Sequence, residues 1–173
     1  MGHRVTRLTR DVGFAVILAT ACGTEHAATD ASEWHPVASV GALAVYDALA
    51  PASAAPDVAS LYFTVINGGA EADTLLSVST NRGTAELHEV VTEEGLSSMR
   101  HVHQLLLLPG DTLRLLPGGY HVMITRLDRP LLLSDTLHVT LELARAGELP
   151  FDAPVLSYTD VVQQIEHRTH NHR

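Results

Sequence analysis

The chain has 173 residues and a formal net charge of −9, with 46% hydrophobic, 18% charged and 5% aromatic residues. That size and apolar content suit one folded domain with extensions and exclude a wholly disordered chain. Twenty acids face 11 arginines and no lysine, which excludes a nucleic-acid binder held by phosphate contacts, while a single cysteine, Cys22, excludes an internal disulfide, a Cys-ligated zinc finger and a Cys-x-x-Cys redox pair.

Residues 1–21 read as an export signal. Arg4, Arg7 and Arg10 precede Val12–Ala21, an uncharged apolar run too short to span a bilayer comfortably. The run closes in Leu18-Ala19-Thr20-Ala21-Cys22-Gly23, where small residues before a lone cysteine resemble the bacterial lipobox. On that reading Cys22 is the lipid-bearing first residue of the mature chain, exported to the periplasm or cell envelope and anchored to the membrane. An ordinary cleaved signal and a buried core helix are the competing readings. Removal of residues 1–21 leaves 8 arginines and 19 acids, a net charge of −11. Residues 22–39 read as a tether, followed by a first strand at Gly41–Leu49 and a connector at Pro51–Asp57.

From residue 60 the chain is strands and turns. Predicted strands are Ser60–Asn67, Asp73–Ser79, Thr84–Val91, Ser97–His103, Leu105–Leu108, Thr112–Leu116, Tyr120–Thr125, Thr136–Ala144 and Leu149–Val155. Turn signals such as Asn67-Gly68-Gly69, Pro109-Gly110-Asp111 and Pro117-Gly118-Gly119 separate them. Pro154 marks the last as an edge strand. No segment holds a helical period over three turns, so the expectation for residues 40–156 is an all-β, antiparallel Greek-key β-sandwich, with residues 157–173 as a His-rich tail.

Period-2 alternation carries the chemistry. His121 and Met123 are i and i+2 on one strand and share a face, opposite Tyr120, Val122 and Ile124. His88 shares a face with Glu86 and Val90. A hairpin turn centred on Glu93-Glu94 places His88 directly across from Met99. Each strand pair then offers one imidazole and one thioether. Thioethers are soft and neutral, and with imidazole they favour Cu(I); zinc would recruit Glu86 or Glu89, and blue copper needs a nearby cysteine. The alternative is that Met99 and Met123 fill core gaps. Against it, both methionines after Met1 fall beside a histidine, in a chain whose core otherwise uses Leu and Val.

These residues resemble the periplasmic copper chaperones called PCu(A)C, whose signature is a His, ten residues, a Met, twenty-one residues and His-x-Met. His88, Met99, His121 and Met123 stand at that spacing. Flanking stretches agree, among them Leu116-Pro117-Gly118-Gly119-Tyr120-His121-Val122-Met123 and Leu127-Asp128-Arg129-Pro130-Leu131. The resemblance covers residues 40–155. It implies a cupredoxin-like fold that carries Cu(I), with copper donor and acceptor proteins as partners. The acceptor it implies is the Cu(A) centre of cytochrome c oxidase or its assembly factors. The family often has a tryptophan after the Asp-Ala of the first strand; here Leu49 follows Asp47-Ala48.

His167, His170 and His172 near the C-terminus form a candidate accessory Cu(II) site, because imidazole suits Cu(II) better than thioether does. A disordered tail is the alternative. His101 and His103, just past Met99, could add a ligand or a partner contact, and His138 reads as solvated. No Gly-x-Ser-x-Gly or His-Glu-x-x-His signature appears, so the reading is a carrier rather than an enzyme. A copper redox enzyme and a metal-free adhesion module are the alternatives.

Overall fold

Alternation between buried aliphatic and exposed polar side chains dictates the architecture. In the strand Thr136–Leu143, residues Leu137, Val139, Leu141 and Leu143 are buried, while Thr136, His138 and Glu142 face out. Such a strand has one wet and one dry face and needs a second layer over the dry one. The computed structural model describes Gly2 and residues 35–170. The expected export signal, Cys22, most of the tether and His172 lie outside the described residues, as does the side chain of His170.

Among the described residues eleven strands run in chain order: β1 (Ala38–Val40), β2 (Leu43–Pro51), β3 (Val58–Asn67), β4 (Asp73–Thr80), β5 (Thr84–Glu93), β6 (Leu96–His101), β7 (Leu105–Leu107), β8 (Thr112–Leu115), β9 (Tyr120–Thr125), β10 (Thr136–Leu143) and β11 (Gly147–Leu156). They hydrogen-bond in the order β6-β5-β9-β3-β2-β11-β10-β4-β7, with β1 added to β2 and β8 to β3. All pairs are antiparallel except β11 with β2, which meet in parallel only at Val155–Ala50 and Leu156–Pro51. The strands form a β-sandwich of cupredoxin-like form. Phe63 of β3 meets Phe151 of β11 edge-on, ring centroids 5.5 Å apart, inside a core that includes Leu61, Val65, Leu115, Val122, Ile124 and Leu141.

Two expectations are corrected. The edge-strand expectation is narrowed: from Gly147 to Pro154 the strand pairs with β10 alone and is an edge there, but at Val155 and Leu156 it joins β2. Pro150 and Pro154 are tolerated because they fall where the strand has only the β10 ladder. The segment read as a tail without helical period forms a helix, α1 (Tyr158–His170). Ser157 caps it, its Oγ accepting from the Asp160 N–H at 3.1 Å and donating to the Asp160 carboxylate at 2.6 Å. Val161 is fully buried against Leu49 and Tyr62, with Ile165 one turn on, and Arg168 pairs with Asp47. The apolar stripe is only Val161 and Ile165, too narrow to register as a period. No helix among the described residues is long and apolar enough to cross a membrane.

Asp73 ties the start of β4 to the β10–β11 turn. Its buried carboxylate accepts backbone N–H bonds from Thr74 at 2.7 Å and from Arg145 and Ala146 at 2.9 Å each. Burial alone would raise its pKa, but the N–H donors of Arg145, Thr74 and Ala146 and the Arg145 charge outweigh burial and hold it below the usual value. Its stabilising effect is therefore complete above the unfolded-state value of about 3.9 and is lost as pH falls through the lower native value. Asp73→Asn, which turns an amide donor toward one of these N–H groups, is expected to lower unfolding free energy by about 1–3 kcal/mol. Urea unfolding at pH 7 and at pH 3 measures this, and the difference between the two proteins should shrink at the lower pH.

Candidate metal centre

β5 lies between β6 and β9, and the burial of Leu87, Val122 and Ile124 fixes which way its neighbours point. Leu87 pairs with Val122 and Ala85 with Ile124 on the core side, so His88, Glu86 and Val90 take the outer face. On that face His88 pairs with His121 of β9 and with His101 of β6, a row of three imidazoles across three strands. Ring centroids lie 6.0 Å apart for His88–His121 and 5.7 Å for His88–His101, and His103 stacks edge-on to His101 at 4.7 Å.

The expected pairing of His88 with Met99 is not found. Met99 stands opposite Val90, and His101 takes the place beside His88. The reason is the turn. Glu94 and Gly95 both have positive φ, 52° and 81°, the pattern of a two-residue type I′ hairpin, so the turn is centred one residue later than the acidic pair suggests. That displacement changes every cross-strand partner by two residues, an even number, and leaves Met99 on the expected face. Met123 is opposite Glu86. The two methionines thus flank the histidine row at opposite corners, each diagonal to His88, about 7–8 Å from it by ordinary sheet geometry and somewhat less between Cβ atoms.

The imidazoles are held differently. His121 is buried, and its Nδ1 lies 3.1 Å from the Gly119 carbonyl. A carbonyl only accepts, so Nδ1 carries the proton and Nε2 keeps its lone pair. The His88 Nδ1 is buried and has no hydrogen-bond partner, while its Nε2 is 3.5 Å from Glu86. A buried, unpaired ring nitrogen costs free energy that a bound ligand would recover. Met99 is 60% exposed on an edge strand whose six residues are all exposed; Met123 is half-buried. Glu89 lies on the reverse face of the hairpin, bonded to Arg100 at 2.7 Å and paired with Tyr120, away from the imidazoles. Burial and the negative charge of Glu89 raise the Tyr120 pKa, and the bond to Glu89 raises that of Arg100. Among the described residues no three His, Cys, Asp or Glu side chains already enclose a metal position.

The β4–β5 turn sets this register. The Arg82 side chain is buried and donates to Asp128 at 2.6 Å and to the Arg129 carbonyl at 3.0 Å. Gly83, at φ 72°, packs so closely on the end of β9 that a Cβ would fall 2.4 Å from the Thr125 carbonyl oxygen. In the other expected site, His167 is exposed on α1 and position 170 is its last residue; His172 lies outside the described residues. His138, on β10, is exposed and lies 2.6 Å from Asp152.

A family model described as "Putative lipoprotein LpqE-like" matches residues 43–155, most of the sandwich. The chain belongs to the LpqE-like family. Over 84 residues it is 32% identical to "Putative lipoprotein Lxx21020" of Leifsonia xyli subsp. xyli, strain CTCB07, a match covering 48% of this chain. The chain spans about half the length of that curated relative. Among solved structures it is similar to the apo PCuAC domain of PmoF2, with 22% identity and a TM-score of 0.59 over 71% of this chain and 95% of that one. The apo PCuAC domain of PmoF1 matches at 28% identity and 0.57, over 69% and 97%. Cu(I)-bound DR1885 of Deinococcus radiodurans matches at 26% and 0.51, over 76% and 87%. The fold of the LpqE-like chain is that of the PCuAC domains.

Gly83 and Gly95 separate steric from conformational cost. A Cβ added at Gly95 would meet nothing within 4 Å, so Gly95→Ala carries only the positive-φ cost, about 1 kcal/mol. Gly83→Ala adds a backbone collision and should cost about 2–4 kcal/mol. Denaturant unfolding of the two variants tests the order, and cross-strand amide contacts between β5 and β9 should weaken in Gly83→Ala alone.

Proposed function

We propose that the chain carries Cu(I) in the bacterial cell envelope, binding it through His88, Met99, His121 and Met123 and passing it to an acceptor protein. The observation that carries this reading is the outer face of β6-β5-β9. It presents two thioethers and a row of imidazoles, with the His88 Nδ1 buried and unpaired and the His121 Nε2 left as a lone-pair donor. Soft, uncharged donors of this kind suit Cu(I), and no cysteine stands among them to trap it. Support comes from the similar structures, one of them a copper-bound PCuAC domain of PmoF2 and another a Cu(I) form of DR1885.

His88, His121 and Met123 form the inner part of the site, on strands held by the core. Met99 is the outer arm. It stands diagonal to His88 on the exposed edge strand, so full coordination draws the β5–β6 hairpin toward β9. The role is delivery without turnover. Delivery to the Cu(A) centre of cytochrome c oxidase, or to its assembly factors, follows from the PCu(A)C resemblance. Lipoprotein names among the relatives support export and anchoring through Cys22. His167, His170 and His172 remain an accessory Cu(II) site, two of them one helical turn apart on α1.

Anaerobic titration of Cu(I) against a chromophoric chelator tests the main site. One tight equivalent is expected, and Met99→Leu/Met123→Leu should weaken it by at least ~100-fold, since losing two donors exceeds the 10–100-fold cost of losing an outer-shell partner. Unchanged affinity in the double variant would refute the assignment. Cu(I) loading should also slow amide exchange across residues 96–101.

A further inference from the structure

His101 and His103 are not needed by the two-His, two-Met site, yet they adjoin it. We propose that His101 and His103, with His88, form a second copper site, one that takes Cu(II) and shares His88 with the Cu(I) site. Spacing is the first ground. A metal–imidazole nitrogen bond is about 2.0 Å, so a ring centroid lies about 3.2 Å from the ion. Two rings on one ion are then about 4.5–6.4 Å apart at coordination angles between 90° and 180°. His88–His101 at 5.7 Å and His101–His103 at 4.7 Å both fall inside that window.

The donors differ from those of the first site. All three are imidazoles: His88 on β5, with His101 and His103 on its β6 side, away from Met123 on β9; Met99 shares β6 with His101 but stands opposite Val90, not opposite His88. Imidazole nitrogen with water in the open positions is a good environment for Cu(II) and a poor one for retaining Cu(I) against thioethers. His101 ends the edge strand and His103 lies two residues beyond it; both are exposed, so their rings turn without repacking the core. That freedom matters because no three such side chains already enclose a metal position among the described residues. The unpaired His88 Nδ1 is the fixed donor on which the two outer rings close. Because the same His88 nitrogen, Nδ1, serves both sites, the two occupancies exclude each other. This inference rests on the proposed Cu(I) site, but His101 and His103 are tested apart from it.

The experiment is quantitation of bound Cu(II) on the full chain by electron paramagnetic resonance at pH 7, with excess weakly held copper removed by glycine. His101→Ala/His103→Ala should lose one Cu(II) equivalent relative to the unaltered chain while keeping its Cu(I) affinity. Met99→Leu/Met123→Leu should show the reverse. Prior loading with one equivalent of Cu(I) under anaerobic conditions should remove the same Cu(II) equivalent. An unchanged Cu(II) count in His101→Ala/His103→Ala overturns the site, and undiminished Cu(II) uptake by the Cu(I)-loaded chain overturns the sharing of His88. Failure of the Cu(I) reading shows separately, as Cu(I) affinity that ignores the methionines. As a check on folding, the His101→Ala/His103→Ala variant should unfold at the same urea concentration, since both residues are exposed.

Discussion

The register of β5 against β9 is the constraint on which the rest hangs. Leu87, Val122 and Ile124 are buried in the sandwich, and a slip of one residue would exchange them for histidines and glutamates. Hydrophobic burial on one face therefore fixes the positions of donors on the other. Full burial of side chains of this size is worth about 1.5–3 kcal/mol each. Arg82 and Gly83 reinforce the same register from the β4–β5 turn, one through bonds to Asp128 and Arg129, the other by lying where no side chain fits. Packing of the sandwich itself thus sets His88 beside His121.

Much of this is legible in the sequence. The alternation in Tyr120–Thr125 and Thr84–Glu93 assigns faces correctly, because a two-fold period leaves only two choices and the aliphatic residues decide between them. The all-β class follows from the same pattern and from glycine- and proline-bearing turns. Pairing is harder. The acidic pair Glu93-Glu94 suggests a turn centre one residue too early, because the sequence does not show that Glu94 itself takes a left-handed conformation beside Gly95. Glutamate has no special preference for that region, so charge alone misplaces the turn.

The helix escapes for a different reason. α1 is stabilised by what it docks against, the Leu49–Tyr62 surface, and by a cap, with little contribution from its own apolar content. Such a helix is a tertiary fact. The same holds for the imidazole row: His88, His101 and His121 are separated along the chain, and only the ladder of β6-β5-β9 sets them side by side. Ser60 pairs with Met123, and Tyr62 follows two residues on, so the residue that receives Val161 lies on the same outer face as Met123 and the imidazole row. The helix and the donors occupy one side of the sandwich.

The exposure of β6 bears on time as well as affinity. An edge strand with six exposed residues and a partner on one side only opens at a small fraction of the global unfolding free energy. On the proposed assignment, a ligand set with Met99 on that strand would dissociate stepwise, its outermost donor leaving first while the core-held histidines stay in place. The residence time of a bound ion is then governed by fraying of one hairpin, far from the slow clock of the folded core. A carrier with the proposed ligand set would hold its cargo with an affinity set by four donors and surrender it at a rate set by one.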